Sequence, residues 1–218
     1  MSKKIAVIHT SLTIFPSMDK EILRQIPDAD IHNIIDVKIL SDVMKNGGIN
    51  EDIKKRMTMY VLACESMGAD IILNACSSVG EAFDVAKSIT TVPCLKIDQA
   101  MAEEAVGAGS NIAVYGTVGT TLDPSARLIK RVAAEKGKSI TVTKYLIDGA
   151  FQILAEGDTE THNKMVLKKI METKDNYDVI VLAQASMAVL IPEMKDFTQP
   201  VLYSLVSGVT RLKECLEK

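Results

Sequence analysis

Short apolar runs rich in valine and isoleucine recur along the chain and predict buried strands of parallel β-sheets. They lie near residues 4–9, 31–36, 70–74, 92–96, 111–116, 140–144, 178–182 and 200–204. Segments with the apolar spacing of amphipathic helices lie between them, near residues 17–26, 51–67, 79–88, 99–107, 122–136, 159–173 and 207–217. Strands that alternate with helices form βαβ units, so the pattern predicts an α/β protein with parallel sheets.

The second half of the chain repeats the first. The stretch KIAVIHT at 4–10 matches NIAVYGT at 111–117, and DIILNAC at 70–76 matches DVIVLAQ at 178–184. The offset of about 100 residues is a normal domain size. We therefore predict two lobes related by a pseudo-twofold axis. Each is a parallel sheet flanked by helices, and the active site is expected in the cleft between them.

The repeat also predicts where the lobes begin and end. The first α/β lobe spans residues 1–108 and the second spans 109–204, with the glycine-rich segment 107–110 as the only plausible hinge. Residues 205–218 contain a last helix that no further strand follows. We expect this C-terminal helix to pack back on the first lobe.

Composition narrows the classes of function. The 218 residues carry a net charge of −3 without a basic face, which argues against nucleic acid as a partner. No apolar run is long enough to span a membrane, and the N-terminus lacks the features of a signal peptide. Four cysteines without a CxxC pair are typical of a reducing cytoplasm. We expect a cytoplasmic protein that binds a small molecule, and a homo-oligomer is compatible with this sequence.

Ligands of open parallel sheets bind beyond the carboxyl ends of the strands. The loops at residues 9–13, 74–78, 117–121 and 184–187 are rich in small hydroxyl residues and nearly free of lysine and arginine. Backbone N–H groups and hydroxyls in such loops suit a small carboxylate or carbonyl compound. The chain has neither GxGxxG nor a P-loop, and its histidines and carboxylates lack metal-like spacing. We therefore expect no nucleotide, no cofactor and no metal.

Cys76 is the residue most suited to chemistry. It ends a predicted strand and precedes the sequence SVGE at 78–81, which fits the capping box of a helix N-terminus. A helix N-terminus stabilises a thiolate, so we expect the pKa of Cys76 to be low enough for proton transfer. The alternative is a small buried apolar residue, which is also our expectation for Cys64, Cys94 and Cys215.

The strand-end loops supply the other candidates. Gln184 corresponds to Cys76 in the repeat and is the second predicted catalytic position. Its amide cannot act as a base, but it can hold a substrate oxygen or merely fill the space. His9 can orient a substrate or relay a proton, or it is a structural histidine at a strand end. Threonines after a strand can bind a carboxylate, and they also cap helices. The substrate-binding candidates are His9, Thr10, Ser11, Ser77, Ser78, Thr117, Thr120, Thr121, Ala185 and Ser186.

Three segments, NACSSVGE, VYGTVGTTLDPS and LAQASMA, resemble motifs of the aspartate/glutamate racemase superfamily. LAQASMA is most similar to the corresponding motif of hydantoin and allantoin racemases. The resemblance covers nearly the whole chain in the order of its elements. It implies a cofactor-independent isomerase that acts on amino acids or their derivatives. In that superfamily one cysteine removes the proton beside a carboxylate or carbonyl group, and a second cysteine returns a proton from the opposite face.

The chain departs from the superfamily pattern at the second cysteine. Cys76 matches the first cysteine, whereas Gln184 stands in place of the second. Ser77 and Ser78 replace the Asn-Thr pair that follows the first cysteine in aspartate and glutamate racemases. The resemblance therefore implies a racemase-type isomerase with Cys76 as acid or base. The alternatives are a single-cysteine decarboxylase or lyase of the same superfamily, and a catalytically inactive protein that binds small acids.

Overall fold

The computed structural model describes residues 2–217, with all of their side chains except that of Ala185. The described residues form eight β-strands and nine α-helices. The strands are β1 Lys4–His9, β2 Asp30–Ile35, β3 Ile71–Asn74, β4 Cys94–Lys96, β5 Asn111–Gly116, β6 Thr141–Leu146, β7 Val179–Leu182 and β8 Val201–Tyr203. The helices are α1 Phe15–Gln25, α2 Val37–Asn46, α3 Glu51–Ser66, α4 Gly80–Ala86, α5 Gln99–Ala108, α6 Gly119–Glu135, α7 Ala150–Ala155, α8 Thr159–Thr173 and α9 Ser204–Leu216.

These elements confirm the predicted α/β class with two parallel sheets. Every predicted strand and helix is present, with ends that differ by a few residues. The apolar spacing did not predict two of the helices, α2 and α7. None of the helices within residues 2–217 is both long enough and apolar enough to cross a bilayer.

The contacts divide the chain into two compact units. The first contains the residues up to Gln99 and resumes at Leu205, and the second is Ala100–Ser204. Almost all of α5 therefore packs with the second unit, whereas the predicted boundary placed this helix in the first lobe. The reason is that its apolar side chains, including Met101 and Val106, enter the core beside β5.

In the first unit the strand order is β2-β1-β3-β4, and all neighbouring strands are parallel. One face of this sheet packs against α2, α3 and α4, where Phe83 is fully buried. The other face packs against α1 and α9, where Val209 and Leu212 of α9 are fully buried. Because the strands are parallel, the loops after β1, β3 and β4 leave the sheet at the same edge.

The second unit has the order β6-β5-β7-β8, again with parallel neighbours. Helices α5 and α6 cover one face, and α7, α8 and the 3₁₀ segment Ala185–Met194 cover the other. On that second face the buried ring of Tyr115 stacks on Tyr145 with 5.0 Å between centroids. Since β1 and β5 hold the same place in the two orders, as do β3 and β7, the strand topology reproduces the sequence repeat.

Candidate functional site

Cys76 lies two residues beyond the end of β3, at the carboxyl edge of the first sheet. The buried side chain of Asn74 holds both backbone groups of this cysteine. Its Oδ1 accepts from the Cys76 N–H at 3.4 Å and its Nδ2 donates to the Cys76 carbonyl at 2.9 Å. The thiol residue is half-buried and extended, with φ −137° and ψ 117°, and a 3₁₀ turn at Ser77–Val79 follows at once. The strand end and Asn74 together set the position of the thiol.

The predicted capping box does not form in the way that the sequence indicated. Helix α4 begins at Gly80 with Val79 as its N-cap, so Ser78 lies inside the 3₁₀ turn. The turn still directs donors at the sulfur. The backbone N–H groups of Ser78 and Val79 and the hydroxyls of Thr10 and Ser78 hydrogen-bond to Cys76 and favour its thiolate. The structure therefore brings two of the substrate-binding candidates, Thr10 and Ser78, together with Cys76.

The expected low pKa of Cys76 is wrong in direction. Burial raises the pKa of the Cys76 thiol, and the hydrogen bonds from Thr10, Ser78 and Val79 only partly oppose this effect. The physical reason is that the thiolate loses part of its hydration on burial, and the protein donors do not replace all of it. Burial therefore favours the neutral thiol of Cys76 over its thiolate.

A labelling experiment checks this direction. We expect the rate of Cys76 alkylation by iodoacetamide to keep rising with pH beyond about 8.5, the ordinary pKa of a cysteine, because only the thiolate reacts. Peptide mass spectrometry follows each thiol separately, and Cys76→Ser identifies the signal. A rate that levels off near neutral pH would mean that the donors outweigh the burial and that the resting form is a thiolate.

Of the other cysteines, Cys64 is buried as the sequence indicated, whereas Cys94 and Cys215 are half-buried. Cys64 is buried on α3 and burial raises its pKa to about 12, while burial raises the pKa of Cys94 in β4 to about 11. Cys215 is half-buried among the apolar residues of α9. Within residues 2–217, no three histidine, cysteine or carboxylate side chains cluster as metal ligands do.

His9 is the last residue of β1 and is almost completely buried. Its Nε2 lies 2.9 Å from Oδ1 of Asn33, whose Nδ2 donates to the Asp19 carboxylate at 2.9 Å. Because a carboxylate only accepts, the amide nitrogen must face Asp19 and the amide oxygen must face His9. Nε2 therefore carries the proton. Burial lowers the pKa of His9, so the neutral ring presents Nδ1 as its acceptor.

The side chains of His9 and Thr10 contact different elements of the first unit. The His9 ring packs edge-on against Phe15 of α1 with 5.8 Å between centroids, whereas Thr10 bonds to Cys76. Ser11 is half-buried, and its hydroxyl oxygen accepts from the Thr13 N–H at 3.1 Å within the same loop. His9, Thr10 and Ser11 are thus adjacent in sequence, and of the three it is Thr10 that hydrogen-bonds to the thiol.

The sequence did not single out Asp98, which lies two residues beyond the end of β4. Its side chain is 4% exposed and hydrogen-bonds to the Ser77 side chain. Burial raises the pKa of this carboxyl group. The loop after β4 was not among the strand-end loops considered from the sequence. An acidic residue at the carboxyl end of a predicted buried strand is the signal that could have drawn attention to it.

In the second unit Gln184 holds the place that Cys76 holds in the first. It follows β7 in an extended conformation, with φ −127° and ψ 133°, and precedes the 3₁₀ segment at 185–194. Its Oε1 accepts from the backbone N–H of Thr117 at 2.5 Å and from the Thr117 hydroxyl at 3.0 Å. The amide therefore joins the loop after β7 to the loop after β5 and supplies no titratable proton.

The threonines after β5 do not cap α6. The N-cap of this helix is Val118, which has no side-chain cap, so helix capping does not explain these residues. Thr120 Oγ1 is buried and has no hydrogen-bond partner within residues 2–217. The Thr121 N–H bonds to the Val118 carbonyl at 3.1 Å. Ser186 is half-buried in the 3₁₀ segment, and the side chain of Ala185 lies outside the described part of the chain.

Comparisons with solved structures agree with this fold. A glutamate racemase isoform from Bacillus anthracis superposes with a TM-score of 0.72 at 17% identity, covering 99% of this chain and 82% of that one. Allantoin racemase from Klebsiella pneumoniae has a TM-score of 0.70 at 16% identity, covering 99% and 88%. A variant of arylmalonate decarboxylase has a TM-score of 0.64 at 16% identity, covering 97% and 93%.

The duplicated α/β topology and the thiol at a strand end define the racemase-type class of protein. The sequence model of the Asp/Glu/hydantoin racemase family matches residues 5–212, so the chain belongs to this family. This confirms the family that the motifs indicated. None of the curated proteins matches the chain.

Proposed function

We propose that the protein is a cofactor-independent, racemase-type isomerase that transfers a proton at the carbon next to a carboxylate or carbonyl group. Its substrate would be an amino acid or a derivative of one, and Cys76 would be the acid–base group. The observation that carries this proposal is the Cys76 thiol at the carboxyl end of β3, where side chains and backbone N–H groups donate to it. Family membership supports the class of reaction.

The proposed step is a proton transfer to sulfur. The Cys76 thiolate takes the α-proton, and the electron pair of the broken C–H bond moves into an enolate or enolate-like anion. Donors at the site would stabilise this developing charge, the role that often supplies the largest catalytic contribution. We assign this role to Ser77 and Ser78, which follow β3. We propose Thr117, Thr120 and Thr121 as substrate-binding residues, and the buried Thr120 hydroxyl, which has no hydrogen-bond partner among residues 2–217, supports this assignment.

Because burial favours the neutral thiol, Cys76 would first have to release its proton to solvent water, and the thiolate so formed would then take the α-proton. Thr10 and Ser78 donate to the sulfur and would stabilise the thiolate once it forms. Neutral His9 has an acceptor nitrogen and is our candidate for binding a substrate N–H group near the same sheet edge. Gln184 would position the loop after β5 through Thr117 without exchanging protons itself.

A one-base decarboxylase is the second candidate, and the protonated state of Cys76 favours it. In this reaction a carbon–carbon bond breaks, carbon dioxide leaves, and the resulting enolate takes the proton of the Cys76 thiol. Water then restores the proton on sulfur. Such a reaction needs one acid and no second thiol, which suits the neutral Cys76 and the amide of Gln184.

Hydrogen exchange in deuterated water separates these functions. A panel of small α-amino acids, N-carbamoyl amino acids, hydantoins and substituted malonates is incubated with the protein. Nuclear magnetic resonance follows loss of the α-hydrogen, chiral chromatography follows inversion, and carbon dioxide release follows decarboxylation. Exchange at an α-carbon supports the isomerase, and carbon dioxide release supports the decarboxylase. If compounds bind but undergo neither reaction, the result supports a protein that binds small acids without catalysis.

The missing second thiol leads to a specific prediction for Gln184→Cys. With one acid–base group the wild-type protein is expected to exchange the α-hydrogen faster than it inverts the carbon. A thiol at 184 supplies a second group, so the ratio of inversion to exchange should rise, by roughly 10²-fold, the low end of the range of a single acid–base group. Gln184→Ser is the matched control, since it removes the amide and adds no thiol. Equal rates of inversion and exchange in the wild-type protein would reveal another base, and His9 is the first residue to replace.

A further inference from the structure

A buried carboxyl group next to the thiol loop has no role in the proposed reaction. Asp98 is 4% exposed, although carboxyl groups are seldom buried without a specific partner. The nearby Lys96 is paired with Asp84 at 2.7 Å. The charge of Lys96 also favours the Asp98 carboxylate, which hydrogen-bonds to the Ser77 side chain and to its own backbone N–H. The bond to Ser77 reaches the thiol loop and suggests a function for Asp98 in that loop.

Ser77 connects Asp98 to the turn whose donors face Cys76. It is the first residue of the 3₁₀ turn, and the next two residues, Ser78 and Val79, direct their backbone N–H groups at Cys76. Within the turn the Val79 N–H also donates to the Cys76 carbonyl, at 3.3 Å, and the Gly80 N–H donates to the Ser77 carbonyl. Because the hydrogen bonds of a 3₁₀ turn have poorer geometry than those of an α-helix, an outside contact helps to keep the donors of this turn in place.

The loop after β4 supplies that contact through a second hydrogen bond as well. The Ile97 N–H donates to the Asn74 carbonyl at 3.0 Å, so the residue before Asp98 is fixed to the end of β3. Asn74 in turn holds both backbone groups of Cys76. The backbone next to Asp98 and the backbone of Cys76 are thus both hydrogen-bonded to Asn74. The hydrogen bond from Ser77 to Asp98 adds a second link between the loop after β4 and the turn.

We propose that Asp98 is a positioning residue for Cys76, which fixes the 3₁₀ turn through Ser77 so that the turn's N–H groups face the sulfur. Asp98 does not touch the thiol and exchanges no proton in this role. The inference rests on the proposed function only in taking Cys76 as the reactive group. It is tested by the reactivity of the thiol in the absence of any substrate. The positioning role can therefore fail while the proposed function stands, and the proposed function can fail while the positioning role stands.

The experiment measures the pH profile of Cys76 alkylation in four variants of the full chain. Asp98→Ala and Ser77→Ala each remove one side of the hydrogen bond, and the double variant removes both. Loss of oriented donors should raise the pKa of Cys76 by about one unit and slow alkylation at a fixed pH by about tenfold. Asp98→Asn keeps an oxygen that accepts from Ser77, so its profile should stay within about threefold of wild type.

The outcomes are distinct. Slow alkylation in both single variants, with no further loss in the double variant, supports the proposal because both substitutions then act through one contact. A profile unchanged by Asp98→Ala overturns it, even if the melting temperature falls, because the carboxyl group would then only stabilise the fold. Faster alkylation in Asp98→Ala and Asp98→Asn also overturns it, since Asp98 would then act as a negative charge that suppresses the thiolate.

Discussion

Replacing Cys76 with alanine is expected to lower α-hydrogen exchange, or decarboxylation if that is the reaction, by about 10²- to 10⁴-fold, the contribution of one acid–base group. The half-buried thiol is the titratable group that receives the donors of the Ser77–Val79 turn. Without it the enolate has no proton donor or acceptor at this position. The measurement is the rate of deuterium incorporation or carbon dioxide release at saturating substrate.

The matched control is Cys215→Ala, which removes another half-buried thiol from the first unit. Cys215 packs among apolar residues of α9, so its variant should keep activity close to that of the wild type. A melting curve of each variant separates loss of chemistry from loss of fold. If Cys76→Ala retains more than about a tenth of the activity, the acid–base group is a different residue.

Replacing Gly208 with alanine is expected to destabilise the protein by about 1–3 kcal/mol, the usual cost of overpacking. A Cβ atom at this position of α9 would lie 2.3 Å from the backbone oxygen of Ile97 and 2.4 Å from its Cδ1. A backbone oxygen cannot rotate away as a side chain can, so the helix would have to shift. Chemical denaturation monitored by circular dichroism measures the free energy of unfolding.

Gly107→Ala is the control for Gly208→Ala because it makes the same change in another helix. An added Cβ at Gly107 meets no atom within 4 Å. Alanine there should stabilise the protein by about 0.5–1 kcal/mol, since glycine loses more backbone entropy on folding. The two substitutions are thus expected to have opposite signs. A Gly208→Ala variant as stable as the wild type would show that α9 can move away from Ile97 without loss of stability.

Local patterns were sufficient for most of the secondary structure. Buried parallel strands need continuous apolar runs, and such runs are visible without knowledge of any partner. Helix α2 was missed although its signals are present. Asp36 caps it by accepting from the N–H groups of Lys38 and Ile39, and Gly47 ends it with a φ of 67°. The sequence pattern assigned Asp36 to the preceding strand, so its role as the N-cap of α2 was not recognised.

Contacts between residues far apart in sequence decided the chemistry of the thiol. The position of Cys76 at a strand end was predictable, since it follows a visible apolar run. Its pKa was not, because that depends on how deeply the fold buries the sulfur and on a hydrogen bond from Thr10, which lies far from Cys76 in the sequence. The hydrogen bond between Asp98 and Ser77 joins loops after two different strands, so neither loop reveals it by itself.

The sequence alone determined the α/β class, the internal repeat, the family and the thiol at the end of β3. These features depend on apolar periodicity and on short motifs, which are local properties of the chain. The tertiary structure alone decided that burial favours the neutral thiol of Cys76, that Asn33 fixes the proton on Nε2 of His9, and that Gln184 binds Thr117. Protonation states and hydrogen-bond partners depend on burial and distance, and only the folded chain brings those groups together.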